Sequence, residues 1–171
     1  MEITEATHPA AATLTTPVGT IAVTSSRAAI VRVEWVDAES APAPDHGDPL
    51  LAEALGQLRA YFDGRLGEFD LPLSLDGISP VATTVLTVLA ETVGYGETVT
   101  YGELAARSGT GVPARAIGSI MGLNPLPLII PCHRVVAGDG LGGYSGGPRG
   151  EGLATKRHLL EMEGALPSPL F

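Results

Sequence analysis

The chain of 171 residues is 44% hydrophobic, enough for one domain of average size or two small lobes sharing a core. A lone cysteine, Cys132, excludes an internal disulfide framework; no apolar run reaches the roughly 18 residues of a membrane-spanning helix and no basic start leads into an apolar leader, so a cytoplasmic protein is expected. The net charge of −9 hides an asymmetry: residues 1–99 carry four Arg against fourteen Asp and Glu (net −10), and residues 100–171 carry six Lys and Arg against five (net +1), so any phosphate-facing surface belongs to the second segment.

In chain order, residues 1–16 are rich in Ala and Thr and are expected to fray. Thr20–Thr24 and Ile30–Val36 are β-rich runs that read as a hairpin through Ser25–Ala29. Val31, Val33 and Trp35 share one face of its second strand, with Arg32 and Glu34 on the other. Ala38–Pro49, with three prolines, reads as a loop, and Leu51, Leu55, Leu58 and Phe62 then follow helical spacing. Leu71, Leu73 and Leu75 alternate as a strand, which Pro72 assigns to a sheet edge. A small sheet with one helix results, and it holds no catalytic constellation.

Ser79-Pro80 reads as an N-cap with proline at the first helical position, opening a helix to about Val93 that Gly94-Tyr95-Gly96 ends. A short helix from Tyr101 to Arg107 stops at Ser108-Gly109. Pro113 opens a second, Ala114 to Met121, which Gly122 and the Asn124-Pro125 turn end. The pair forms a helix-turn-helix pattern. Leu126-Pro127-Leu128-Ile129-Ile130-Pro131 is an apolar run that must be buried, and a last amphipathic helix from Leu153 to Glu163 ends at Gly164.

Cys132 ends the apolar run, so by itself it could be a small buried hydrophobe. His133 and Arg134 follow at once, and polar groups there need a purpose; a thiol becomes nucleophilic only as thiolate, which a base or nearby cations promote. Adjacent side chains in regular structure do not face each other, so His133 can serve Cys132 only through an irregular turn or a bridging water, and Pro131 favours such a turn. An acid should orient the histidine; spacing alone leaves Glu163, Glu161 and Glu151 open. Zinc needs three or four ligands, and His8, His46 and His158 have no paired spacing, so no metal is expected.

Ile130-Pro131-Cys132-His133-Arg134-Val135-Val136 resembles the signature of the O6-alkylguanine-DNA alkyltransferase family. The resemblance extends through Tyr101-Gly102-Glu103-Leu104-Ala105, Ala114-Arg115-Ala116-Ile117-Gly118, Asn124-Pro125, Tyr144-Ser145-Gly146-Gly147 and the helix from Lys156-Arg157 to Glu163-Gly164. It implies that Cys132 accepts the alkyl group, His133 acts as its base through a water, and Glu163 holds His133. By the same resemblance Tyr101 hydrogen-bonds the leaving guanine, and Ser145, with Tyr144 and the backbone of Cys132 and Val135, forms the pocket of the flipped base. Asn124 pins the turn beside the active loop. Arg115 fills the gap in the base stack, and Ala114, Ala116, Gly118 and Arg134 join it at the DNA, in the minor groove. Two features depart from the family pattern: Val81 to Val93 lacks its aromatic and glutamine positions, and Pro148-Arg149-Gly150-Glu151-Gly152 makes a longer link.

The expected fold is α/β: a scaffold lobe of sheet and helix over residues 1–77, ribonuclease H-like as the resemblance implies, and a mainly helical lobe over 78–171 that carries the helix-turn-helix and the alkyl acceptor. The expected function is direct-reversal DNA repair, a single irreversible transfer of an alkyl group from guanine O6, and from thymine O4 as well, to Cys132. Double-stranded DNA carrying the lesion is the partner, the protein acts as a monomer, and no cofactor is needed. The alternatives are a non-catalytic alkylguanine-binding protein and a thiol hydrolase using Cys132 and His133.

Overall fold

Period-two alternation builds the first sheet. The computed structural model describes residues 9–41 and 47–166. Strands β1 (Ala10–Thr16), β2 (Gly19–Ser25) and β3 (Ile30–Trp35) form an antiparallel sheet in that order. The expected hairpin is β2–β3, with Ile21 opposite Trp35 and Val23 opposite Val33. β1 corrects the expectation of fraying over residues 1–16. It pairs along its whole length with β2 and buries Ala10, Ala12 and Leu14, while residues 1–8 lie outside the described residues. Alanine contrasts too little with threonine for the alternation to stand out in sequence.

The expected loop gives way to helix α1 (Pro49–Phe62), whose cap Asp48 accepts from the Leu50 N–H; residues 42–46, including His46, lie outside the described residues, as does His8. Its buried stripe is Leu51, Ala54, Leu58 and Tyr61, rotated from the expected one, with Leu55 and Phe62 only partly buried. Leu71–Leu75 is not a full strand. Only Leu73 bridges Ile30, in parallel, with the Ile30 N–H donating to the Pro72 carbonyl and Ser74 N–H to the Ile30 carbonyl. Pro72 has no N–H, so the ladder stops there.

The rest is helical, apart from one short parallel pair. α2 (Pro80–Thr92) begins where Ser79 Oγ accepts from the Ala82 N–H. Strand β4 (Val99–Thr100) leads into α3 (Tyr101–Ser108), and its partner β5 (Val135–Val136) comes directly after the Cys132 turn. α3 opens with a reciprocal capping box between Thr100 and Glu103 and closes on Gly109 in left-handed conformation, followed by α4 (Ala114–Gly122). α5 (Gly152–Met162) ends the described chain, with Glu163 as its C-cap. A continuous core runs through both halves, from Ile21, Ile30 and Leu58 to Leu86, Leu126 and Val135. Each such side chain, fully buried, contributes about 1.5–3 kcal/mol.

Candidate active site

Cys132 owes its position to the apolar run before it. Leu126, Leu128, Ile129 and Ile130 are buried, and Leu128 holds a left-handed backbone (φ 74°), uncommon for leucine and kept here by the packing around it. Asn124 clamps the run at both ends: its Oδ1 accepts from the Leu126 N–H and its Nδ2 donates to the Ile130 carbonyl, each at 2.9 Å. Pro131, at φ −81° and ψ 64°, makes an inverse γ-turn closed by the Cys132 N–H on the Ile130 carbonyl at 2.8 Å. A single 3-10 turn, Cys132–Arg134, follows. Successive side chains of such a turn splay by about 120°, which sends Cys132 and His133 in different directions. The irregular turn expected at Pro131 is present.

The thiol lines a cleft of about 400 Å³ between Tyr101, the Gly118–Gly122 end of α4, and Gly143–Ser145. Burial pushes the thiol pKa up; the Asn124 amide, the Lys156 charge and local backbone groups pull it back only in part. At neutral pH the sulfur therefore rests protonated and needs a base.

The histidine next to Cys132 in sequence is oriented from behind. His133 is fully buried, with Nε2 at 2.7 Å from Glu163 Oε2, and its Nδ1 has no partner among the described residues. Burial lowers the pKa of His133, against the pull of Glu163. Burial also opposes ionisation of Glu163, but hydrogen bonds and charge from His133 and Arg134 outweigh it and hold the carboxyl at about 2. Glu163 is thus the acceptor of the Nε2–H, which leaves the Nδ1 lone pair free. Of the acids that spacing left open, Glu161 lies 3.9 Å from Arg157 and Glu151 is exposed at the start of α5.

Arg134 corrects an expectation. Rather than facing DNA, it is buried: Nε donates to Glu163 Oε1 at 2.8 Å, Nη2 to Oε2 at 3.2 Å and Nη1 to the Val93 carbonyl at 2.9 Å. Buried at that place and paired with Glu163, the guanidinium is withdrawn from a phosphate at the surface.

Tyr101 stands on the first turn of α3, and its hydroxyl oxygen accepts the Gly143 N–H at 3.2 Å, so the hydroxyl hydrogen is free to donate into the cleft. The neighbouring Gly142 has φ 72°, and a Cβ there would come within 2.6 Å of the Tyr101 oxygen; glycine is required. Ser145 is exposed at the rim, and the Tyr144 ring meets Trp35 edge-on at 6.2 Å. The Tyr144 hydroxyl is buried without a partner among the described residues. The Val135 N–H donates to the Cys132 carbonyl, and the Val135 carbonyl accepts from Lys156.

On α4, Ala114, Arg115 and Gly118 are exposed, and Gly122 continues the Ala114–Gly118 spacing to the cleft mouth. Ala116 is half-buried and Ile117 buried, so Ala116 does not belong to the exposed surface expected of it.

Two residues escaped the sequence reading. Lys156 is fully buried, donating from Nζ to the Val135 carbonyl at 2.6 Å and the Gly143 carbonyl at 2.9 Å; burial lowers its pKa to about 8 although Cys132 raises it. A lysine in helical register with Leu159, Leu160 and Glu163 was the available signal. Tyr61, on α1, donates to Glu163 Oε2 at 2.5 Å across 102 residues of sequence. In sequence it is one more apolar position of an amphipathic helix, and nothing local distinguishes it.

The family described as 6-O-methylguanine DNA methyltransferase matches twice: its ribonuclease-like domain at residues 11–75 and its DNA binding domain at residues 80–165. The methylated-DNA–protein-cysteine methyltransferase of Mycobacterium tuberculosis (strain H37Rv) is 36% identical over 155 residues, covering 88% of this chain and 90% of the relative. The crystal structure of the Mycobacterium tuberculosis O6-methylguanine methyltransferase is similar with a TM-score of 0.78 at 33% identity, over 96% of this chain and 97% of that one. The Mycobacterium tuberculosis OGT structure in complex with DNA is similar with a TM-score of 0.77 at 36% identity, over 91% and 92% of the two chains.

Proposed function

The chain belongs to the 6-O-methylguanine DNA methyltransferase family, and from that premise we propose that it repairs DNA by moving the alkyl group of O6-alkylguanine, and of O4-alkylthymine, onto Cys132. The observation that carries the proposal is the pairing of a protonated thiol in an open cleft with a buried histidine whose Nε2 is committed to Glu163 and whose Nδ1 is unused.

A water held by Nδ1 passes the thiol proton to His133, and Glu163 supports the imidazolium that forms. The sulfur then attacks the alkyl carbon. The S–C bond forms, the C–O6 bond breaks and its electron pair goes to the guanine, whose departure the Tyr101 hydroxyl eases by hydrogen bonding. The guanine anion takes up a proton from solvent and the His133 imidazolium gives its proton back to solvent, so the products are a thioether and an intact guanine. Water does not cleave a thioether, so each chain acts once. Asn124 and Lys156 are positioning residues: one pins the turn that holds the sulfur, the other ties β5 to the Gly143 loop.

Residues 78–171 form the DNA-binding and acceptor lobe and residues 1–77 its scaffold. Guanine O6 lies within the base stack, so the nucleotide must be extruded into the cleft, which Tyr144 and Ser145 line. Val135, buried with both its backbone groups already bonded, does not reach it. The exposed face of α4, with Ala114, Gly118 and Gly122, leads to that cleft and enters the minor groove; Arg115 fills the vacated place in the stack. The protein works as a monomer in the cytoplasm. No helix among the described residues is long and apolar enough to cross a membrane.

Incubation with excess DNA carrying O6-methylguanine, followed by intact mass and peptide mapping, tests the proposal. One methyl per chain, on Cys132, is expected. Continued turnover, or a label on another residue, overturns it.

A further inference from the structure

The first half of the chain reaches the reaction centre at one atom. Tyr61 comes from α1, and its hydroxyl donates to the same Glu163 oxygen, Oε2, that takes the His133 Nε2–H, at 2.5 and 2.7 Å. Around it, Phe62 and Phe69 lie 5.1 and 5.5 Å from the Tyr61 ring, and Tyr95 stands edge-on at 6.4 Å. The ring is fully buried, and so is the carboxylate. Packing alone would be served by phenylalanine. A hydroxyl buried beside a carboxylate that Arg134 already neutralises has a different use.

Resting on the alkyl-transfer reading above, we infer that Tyr61 is a positioning residue of the reaction, fixing Glu163 and setting how much of its negative charge His133 can draw on. The charged and titratable groups facing this pair are His133 and Arg134 from the active turn, Tyr61 from α1, and Lys156 from α5, with Cys132 and Tyr144 beside them. Arg134 uses its Nε on Oε1 and only a longer Nη2 contact on Oε2, so Tyr61 and His133 are the two close donors competing for Oε2. Each donor shared on one oxygen weakens the pull on the other. His133 and Arg134 keep Glu163 ionised, and with Tyr61 also on Oε2 the carboxylate holds the imidazole ring while drawing a proton onto Nδ1 less strongly. Burial already disfavours the charged form of His133, and the shared oxygen adds to it, so the ring stays neutral and ready to accept the thiol proton.

Without the Tyr61 donor, more of the Oε2 charge is available to His133, the imidazolium is favoured and the pKa of His133 rises. The base is then already protonated over a wider acid range. Tyr61→Phe keeps the ring, and its pH–rate profile for methyl transfer from DNA to Cys132 should show the acid limb displaced upward by about half a pH unit, because hydrogen bonds to charged groups are strong enough for such a shift. At fixed pH on that limb the rate falls about threefold.

A purely structural tyrosine predicts something else: lower thermal stability, with the rate unchanged or scaled equally at every pH and the limb where it was. Either of those results overturns the inference. If Tyr61→Phe does not fold, proton NMR of the native protein decides. A slowly exchanging, downfield hydroxyl proton with cross-relaxation to the Tyr61 ring and to the His133 Nε2–H is expected, and its absence also overturns the inference. Failure of the native protein to take up methyl at all would instead refute the alkyl-transfer reading, so the two failures are distinguishable.

Discussion

Glu163 carries two burdens at once, and its substitution separates a site residue that only touches its neighbour from one that also holds the fold. Size alone would let glutamine replace it quietly, but Arg134 is buried against both carboxylate oxygens, so Glu163→Gln leaves a guanidinium without its counter-charge. Loss of one member of a buried pair costs about 3–5 kcal/mol. Denaturant unfolding at neutral pH should therefore show a loss in that range, together with slower alkyl transfer. The pH dependence has a definite sign. The carboxyl titrates at about 2 when folded and near the ordinary glutamate value of 4.5 when unfolded, so its contribution is complete above 4.5 and is lost as pH falls toward 2. The gap between native and variant should close over that window; a gap that stays constant there would show that the ion pair is not its source. Arg115 has a contrasting character, exposed on α4 and not among the residues that line the Cys132 cleft. As a stacking wedge, Arg115→Ala should slow repair strongly in paired duplex, less in single strand, and hardly at all with free O6-benzylguanine. Equal losses on duplex and single strand would instead mark a phosphate contact.

At the scale of the element, α4 and the turn after Asn124 do different work. α4 buries Ile117, Ile120 and Met121 and exposes its small residues, which is the arrangement that lets a helix backbone approach a groove closely. Ala114 lies on that face but does not line the cleft. Ala114→Leu should leave the fold intact, since both residues favour helix. It should weaken duplex binding in a gel-shift or anisotropy titration while free O6-benzylguanine still reacts at the native rate. Unchanged duplex affinity would remove α4 from the DNA interface. The turn, by contrast, is held from both ends by Asn124 and by the burial of Leu126 to Ile130, which is how a 3-10 turn of three residues can present a sulfur to the cleft while its imidazole and guanidinium both meet Glu163.

Charge acts on the whole molecule. The second half has six Lys and Arg, but Arg134 and Lys156 are buried in the site, leaving Arg107, Arg115, Arg149 and Arg157 for a partner. Arg107 already reaches the Thr92 carbonyl and Arg157 lies 3.9 Å from Glu161. With so few cations at the surface, the salt dependence of duplex binding should be shallow, on the order of 2–4 phosphate contacts. A slope like that of a strongly basic repressor would mean that the first half, Arg32 beside the Cys132 groove included, takes part in binding.

Local chemistry made much of this protein legible in its sequence: the Ser79-Pro80 helix start, the helix pair around Gly109, the β2–β3 hairpin and the buried run that must end at Cys132. Caps, breakers and periodicity act over a few residues, so they can be read in order along the chain. β1 was hidden because alanine and threonine alternate with little contrast, and the β4–β5 pair because each strand has two residues and the partners, Val99 with Val135 and Thr100 with Val136, are far apart in the chain. The site shows the same division. Cys132 and His133 are adjacent, and their chemistry announces itself. The inward turn of Arg134, the buried Lys156 and the Tyr61 hydroxyl on Glu163 depend on side chains that meet only after the core has closed, across 21 to 102 positions. What those groups do is decided by desolvation and by which donor reaches which oxygen, and no residue carries that information alone.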